Sequence, residues 1–81
     1  MKSIQCRLAR VALGWGLLDL AAAANVSADT IKRLERGEEL RSKTLLKIQK
    51  VFEDHGIEFI PENGGGVGIR FKHPAPRGEA E

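Results

Sequence analysis

Hydrophobic residues recur with a helical period through the first two thirds of the chain and with an alternating period after it. Ile4, Leu8 and Val11 form one stripe of a first helix, and Cys6, Arg10 and Leu13 form the adjoining one. Ser3 is in place to cap that helix, predicted over 3–13, and Gly14 ends it. Trp15 falls in the link that follows, where a large ring can cover the end of a core. A second helix is predicted from a Gly16 cap through Ala24, with Leu20, Ala21 and Ala24 on one face. Asn25-Val26-Ser27 then interrupts the pattern with a residue that tolerates positive φ and a helix N-cap. Ile31 and Leu34 resume the apolar spacing in a third helix, and Gly37 is placed to terminate it. After the loop Glu38-Glu39-Leu40-Arg41, Ser42 is the expected cap of a fourth helix, in which Leu45, Ile48, Gln49 and Phe52 share a face. That helix closes near His55-Gly56, with His55 expected as an exposed terminal residue.

Beyond Gly56 the segments Ile57-Glu58-Phe59-Ile60-Pro61 and Val67-Gly68-Ile69-Arg70-Phe71-Lys72 flank Glu62-Asn63-Gly64-Gly65-Gly66. This pattern predicts a β-hairpin with Phe59, Val67, Ile69 and Phe71 on its apolar face. The glycines are read as a turn and not as a phosphate loop, because no lysine and serine or threonine follow and no helix starts there. Residues 73–81, with two prolines, a glycine and charges, read as a disordered tail. The resulting division is a helical unit over 1–56, a hairpin over 57–72 and a tail over 73–81.

The stretch LAAAANVSADTIKRLERG, residues 20–37, has the geometry of a helix-turn-helix. Its small alanines let a second helix come close, and Val26 can plug the gap beneath the turn. The spacing LAxxANVSxxTIxxxERG resembles the core signature of the Cro and repressor type of helix-turn-helix domain, the XRE-like family of prokaryotic and phage regulators. The similarity runs over residues 10–52. It implies a mainly α, lambda-repressor-like bundle of four or five helices, here followed by the C-terminal β-hairpin, with the third helix, residues 27–36, in the major groove of DNA.

On that resemblance, Ala28, Asp29, Lys32 and Arg33 are candidates for base-edge contacts. Arg33 can bridge guanine O6 and N7, Ala28 can touch a thymine methyl, and Asp29 can accept from cytosine N4. Asp29 serving only the helix dipole is the favoured alternative. Leu17, Ser27, Arg36, Arg41, Ser42, Lys43 and Thr44 are the candidates on the phosphate side; Arg41, Lys43 and the first turn after Ser42 resemble the family's second phosphate clamp. Gly16 and Leu17 stand where the family has a polar cap and a glutamine. Leucine cannot replace that hydrogen bond, although the amides at this helix end are expected to stay free for a phosphate. The resemblance also implies an ion pair between Arg10 on the inner side of the first helix and Glu35 near the end of the third.

Composition bounds the alternatives. A chain of 81 residues holds one small domain, which leaves no room for an enzyme with a deep substrate pocket. No nucleophile and base pair, and no pair of carboxylates, stands outside the motif, so catalysis and a cofactor are not expected. The net charge of +2 argues weakly for nucleic acid, but Arg33, Arg36, Arg41, Lys43, Lys47 and Lys50 cluster beside the third helix. One tryptophan and no tyrosine leave no stacking surface for single strands. A single cysteine rules out an internal disulfide and a cysteine zinc site, and no other residues stand at metal spacing. Arg7, Arg10 and Asp19 break any secretory or membrane-spanning run, and a cytoplasmic protein is expected.

Two functions follow as expectations. The first is a sequence-specific regulator that binds double-stranded DNA as a homodimer. Its hairpin, marginal alone and exposing strand edges, would pair across a two-fold axis, so that a chain cut after Gly56 would be a weakly binding monomer. The second is an interaction module such as an antitoxin, which binds a protein partner and its own promoter; Leu17 and Leu18, as a small exposed apolar patch, speak for it.

Overall fold

The computed structural model describes residues 1–72. Four helices, α1 (Ser3–Ala12), α2 (Leu17–Ala24), α3 (Ala28–Glu35) and α4 (Ser42–Asp54), precede an antiparallel hairpin of β1 (Ile57–Ile60) and β2 (Gly68–Phe71). The chain therefore has the mainly α, lambda-repressor-like fold with a C-terminal hairpin. The expected tail over 73–81 lies outside the described residues.

Each junction has a local cause. Asn25 adopts the left-handed conformation at φ 57°, and the Val26 amide donates to the Ala21 carbonyl at 3.0 Å, which closes α2 and turns the chain into α3. Ser27 Oγ accepts from the Thr30 amide at 3.1 Å and caps α3. At the other end of α3, Gly37 at φ 93° lets its own amide reach Leu34 O at 2.9 Å and the Glu38 amide reach Arg33 O at 3.0 Å. That pair of bonds is the Schellman motif, which needs a residue free to take positive φ.

Two caps differ from expectation. Ser3 is the first residue inside α1, and the cap position belongs to Lys2, whose amide donates to Gln5 Oε1 at 2.8 Å. Ser42 likewise lies inside α4, and the cap position belongs to Arg41, whose side chain makes no capping hydrogen bond among the described residues. In both places the helix begins one residue earlier than its serine suggested.

The core comprises Cys6, Ala9, Leu20, Ala21, Ala24, Ile31, Leu34, Ile48, Phe52 and Ile57. Trp15 stacks against Phe52 at 6.2 Å, and Phe59 meets the same ring edge-on at 6.0 Å. Register pairs Ile57 with Phe71 and Phe59 with Ile69, so these four share the inner face of the hairpin; Val67 precedes β2, and Ile57 is the most buried of the set. Leu45 is partly buried against the core, while Gln49 is half-buried and donates to Glu53 at 3.1 Å.

On α1 the stripe of largest residues faces outward: Ile4, Leu8 and Val11 are 47%, 42% and 66% exposed. The buried stripe is instead Gln5, Cys6 and Ala9. Gln5 is 3% exposed, and its Nε2 donates to Ile60 O at 3.1 Å and to Gly68 O at 2.9 Å. These two carbonyls, at the loop end of the hairpin, give the buried side-chain amide of Gln5 the acceptors it needs at the inward position.

Candidate nucleic-acid interface

Because Ile31 and Leu34 are buried, the opposite side of α3 presents Asp29, Lys32, Arg33 and Arg36 to solvent. Ala28 is half-buried against the core, so only part of its methyl group is available. Ser27 is exposed, but its hydroxyl is engaged by the Thr30 amide and lies 2.9 Å from Thr30 Oγ1. Between α3 and the start of α4 a cleft of about 410 Å³ is lined by Thr30, Arg33, Glu39, Leu40, Arg41 and Thr44. Arg41, Ser42 and Lys43 are exposed on its α4 side. Arg41 and Lys43 make no ion pair among the described residues.

The other basic residues are partly spoken for. Lys47 Nζ donates to the Asn25 carbonyl at 3.4 Å, across the turn, and Lys50 pairs with Asp54 at 3.2 Å. Arg33 Nε lies 3.0 Å from Glu38 Oε1, and Arg36 Nη2 lies 2.7 Å from Glu38 Oε2. The hydrogen bonds from Arg36 and Arg33 hold the Glu38 carboxyl below its usual range. Sequence reading missed this cluster, although the Schellman signal at Gly37 places residues 33 and 38 side by side.

At the start of α2 the expected free amides are not all free. Asp19 folds back so that its Oδ2 accepts from the Gly16 amide at 2.7 Å, which puts a negative charge where a phosphate would come. Leu17 is half-buried against the core, and Leu18 alone, 75% exposed, remains of the expected apolar patch.

Behind α3 a buried ion pair fixes its orientation. Arg10 Nε donates to Glu35 Oε2 at 2.9 Å and Nη2 to Glu35 Oε1 at 3.0 Å, a two-bond fork, while Nη1 donates to the Trp15 carbonyl at 3.0 Å. The Glu35 side chain is 7% exposed and that of Arg10 16%. Burial pushes the Glu35 carboxyl up, yet the hydrogen bond and charge of Arg10, the Cys6 thiol and Arg7 outweigh it and hold the group below its usual range. Cys6 pays the electrostatic consequence. Burial, the Glu35 charge and its own hydrogen bond to that carboxylate push the thiol up to about 12, so it stays protonated and unreactive.

A helix, a tight left-handed turn and a second helix with a charged outer face are thus in place, and the family model described as helix-turn-helix matches residues 7–53. The chain belongs to the helix-turn-helix family. It is a DNA-binding regulator of the XRE-like type, a regulatory family whose members are not typically enzymes. Comparison with curated proteins gives no match. In this helix-turn-helix protein the hairpin lies beyond the matched residues but shares their core. No helix among the described residues is long and apolar enough to cross a membrane, and no group of three or more His, Cys, Asp or Glu side chains there could hold a metal.

Proposed function

We propose that the protein is a sequence-specific regulator that binds double-stranded DNA as a homodimer, with α3 in the major groove. The observation that carries this reading is the division of α3 into a buried face of Ile31 and Leu34 and an exposed face of Asp29, Lys32, Arg33 and Arg36. In this docking mode Asp29, Lys32 and Arg33 meet base edges, while Arg36 after the helix end and Arg41, Ser42, Lys43 and Thr44 at the start of α4 lie on the phosphate side.

Arg33 and Lys43 separate the two kinds of contact. A bidentate arginine to guanine is worth about 1–3 kcal/mol of discrimination, so Arg33→Ala should flatten the preference at one base pair per half-site. Lys43→Ala should weaken binding to all duplexes alike and reduce the salt slope by about one unit. Titrating both variants on a selected duplex and a scrambled one, at several salt concentrations, checks this. Equal losses on both duplexes for Arg33→Ala would remove it as a base reader.

The dimer reading rests on the hairpin edge. The Lys72 amide donates to Gly56 O at 2.8 Å, so in the alternation of an antiparallel pair Glu58 and Arg70 bond across the hairpin while Ile69 and Phe71 turn their amides outward. A second copy of β2 related by a two-fold axis would satisfy that edge, and the contact would fix the half-site spacing, since two α3 helices must sit about 34 Å apart to enter successive major grooves. Sedimentation at micromolar concentration should give a dimer. A chain that is monomeric both free and on DNA would assign the hairpin another purpose. The protein-partner alternative gains from the outward apolar stripe of Ile4, Leu8 and Val11 on α1.

A further inference from the structure

The two arginines at the end of α3 are held by one carboxylate in different ways. Arg33 touches Glu38 through Nε alone, at 3.0 Å, so that its Nη1 and Nη2 make no hydrogen bond among the described residues. Arg36 gives both Nε, at 3.2 Å, and Nη2, at 2.7 Å, to the same Oε2. The carboxylate is not free to wander far, because the Glu38 amide is fixed to Arg33 O by the Schellman motif. In that motif the residue after the glycine normally makes an apolar contact with the residue five before it; here an ion pair occupies that contact.

We propose that Glu38 is the specificity-setting residue of the interface: it presents the terminal nitrogens of Arg33 to a guanine edge and withholds Arg36 from phosphates. This inference rests on the DNA-binding reading above. A guanidinium can donate its Nε–H to a carboxylate while Nη1 and Nη2 form the end-on fork that guanine O6 and N7 require, so base contact and the Glu38 bond coexist on Arg33. A phosphate that reaches for Arg36 must instead displace a carboxylate of the same charge and leave that carboxylate near the DNA backbone. The local charge balance favours the same outcome. Over residues 27–41, with Glu35 buried and neutralised by Arg10, the cations Lys32, Arg33, Arg36 and Arg41 are opposed by Asp29, Glu38 and Glu39, so the recognition segment keeps a single net positive charge with which to hold a duplex of arbitrary sequence.

Glu39 supplies the control. It is exposed, carries the same charge, lies one residue away and makes no hydrogen bond to an arginine among the described residues. Glu38→Gln and Glu39→Gln change net charge equally, and only the first releases the arginines. On a random-sequence duplex pool near 0.1 M salt, Glu38→Gln should bind roughly five- to tenfold more tightly, the value of one added phosphate contact, with a salt slope steeper by about one unit. On the duplex selected from that pool that gain should be cancelled by the orientation that Arg33 loses. The ratio of selected to random affinity should therefore fall by about tenfold, and the thermal midpoint should stay within about 3 °C of the original, as expected for exposed pairs. Glu39→Gln should change the ratio less than twofold. Equal effects of the two variants, or an unchanged ratio for Glu38→Gln, would overturn the proposal.

Heparin offers the polyanion without base edges and separates this proposal from its parent. Glu38→Gln should elute at higher salt than Glu39→Gln whether or not a preferred duplex exists; co-elution would overturn the clamp. Failure of selection to enrich any duplex would instead overturn sequence-specific reading, and with it the role of Glu38 in specificity.

Discussion

Glu35→Ala should be among the most damaging single substitutions in the helical part of the molecule, lowering stability by about 3 kcal/mol and the thermal midpoint by roughly 12–24 °C. Breaking a buried ion pair costs about 3–5 kcal/mol when one charge is stranded without water, and the 16% exposure of the Arg10 side chain puts the expectation at the low end. Three elements lose a tie at once. Arg10 no longer joins α1 to α3, its bond to Trp15 O loses the partner that orients it, and the Cys6 thiol is left with an unpaired hydrogen. Thermal melts with Glu35→Gln beside Glu35→Ala check the cause, since the amide keeps the volume and removes the charge. A midpoint unmoved by Glu35→Ala would mean the pair contributes nothing net.

The same pair predicts the direction of pH dependence. The folded-state pKa of Glu35 lies below its unfolded value, so the stability it contributes is fully present above the unfolded carboxylate pKa of about 4.3 and is lost as pH falls through the folded one. The gap in midpoint between the original chain and Glu35→Gln should be constant near neutral pH and close as acid protonates the carboxylate. A gap that persists to low pH would point to packing and not to charge.

The parts of the structure that were legible in the sequence are those fixed within a few residues. Asn25 at positive φ, the Ser27 cap and the Gly37 terminator are each decided by the conformational limits of one residue and its next turn. The hairpin followed for the same reason, from alternation and a glycine turn. One feature that escaped depends on partners far along the chain. Ile4, Leu8 and Val11 form a larger apolar stripe than Gln5, Cys6 and Ala9, and the inward place of Gln5 depends on hairpin carbonyls 55 and 63 residues after it. At the interface, the candidate positions on α3 and α4 could be placed from helical periodicity, whereas Asp19 on Gly16 and Glu38 on the two arginines required rotamers that sequence does not encode locally.

A chain ending at Gly56 should fail to fold, and the reason is that the hairpin completes the core besides offering an edge. Sequence alone suggested that such a chain would be a folded, weakly binding monomer. Ile57 is fully buried, Phe59 meets Phe52 edge-on, and Ile69 and Phe71 pack partly against the same cluster. Each large apolar side chain contributes about 1.5–3 kcal/mol when fully buried, so losing one complete and three partial burials takes away an amount comparable to the total stability of about 5–15 kcal/mol of a small domain. The side chain of Gln5 would also lose both carbonyl acceptors. Circular dichroism of the truncated chain should show little helix, and duplex binding should be absent. Phe52→Ala tests the same core without removing any backbone. It should cost about 3–5 kcal/mol, because the ring is fully buried and packs against both Trp15 and Phe59. A truncated chain that retains full helicity and a cooperative melt would show that α1 to α4 close a core by themselves, and the hairpin would then be an appendage.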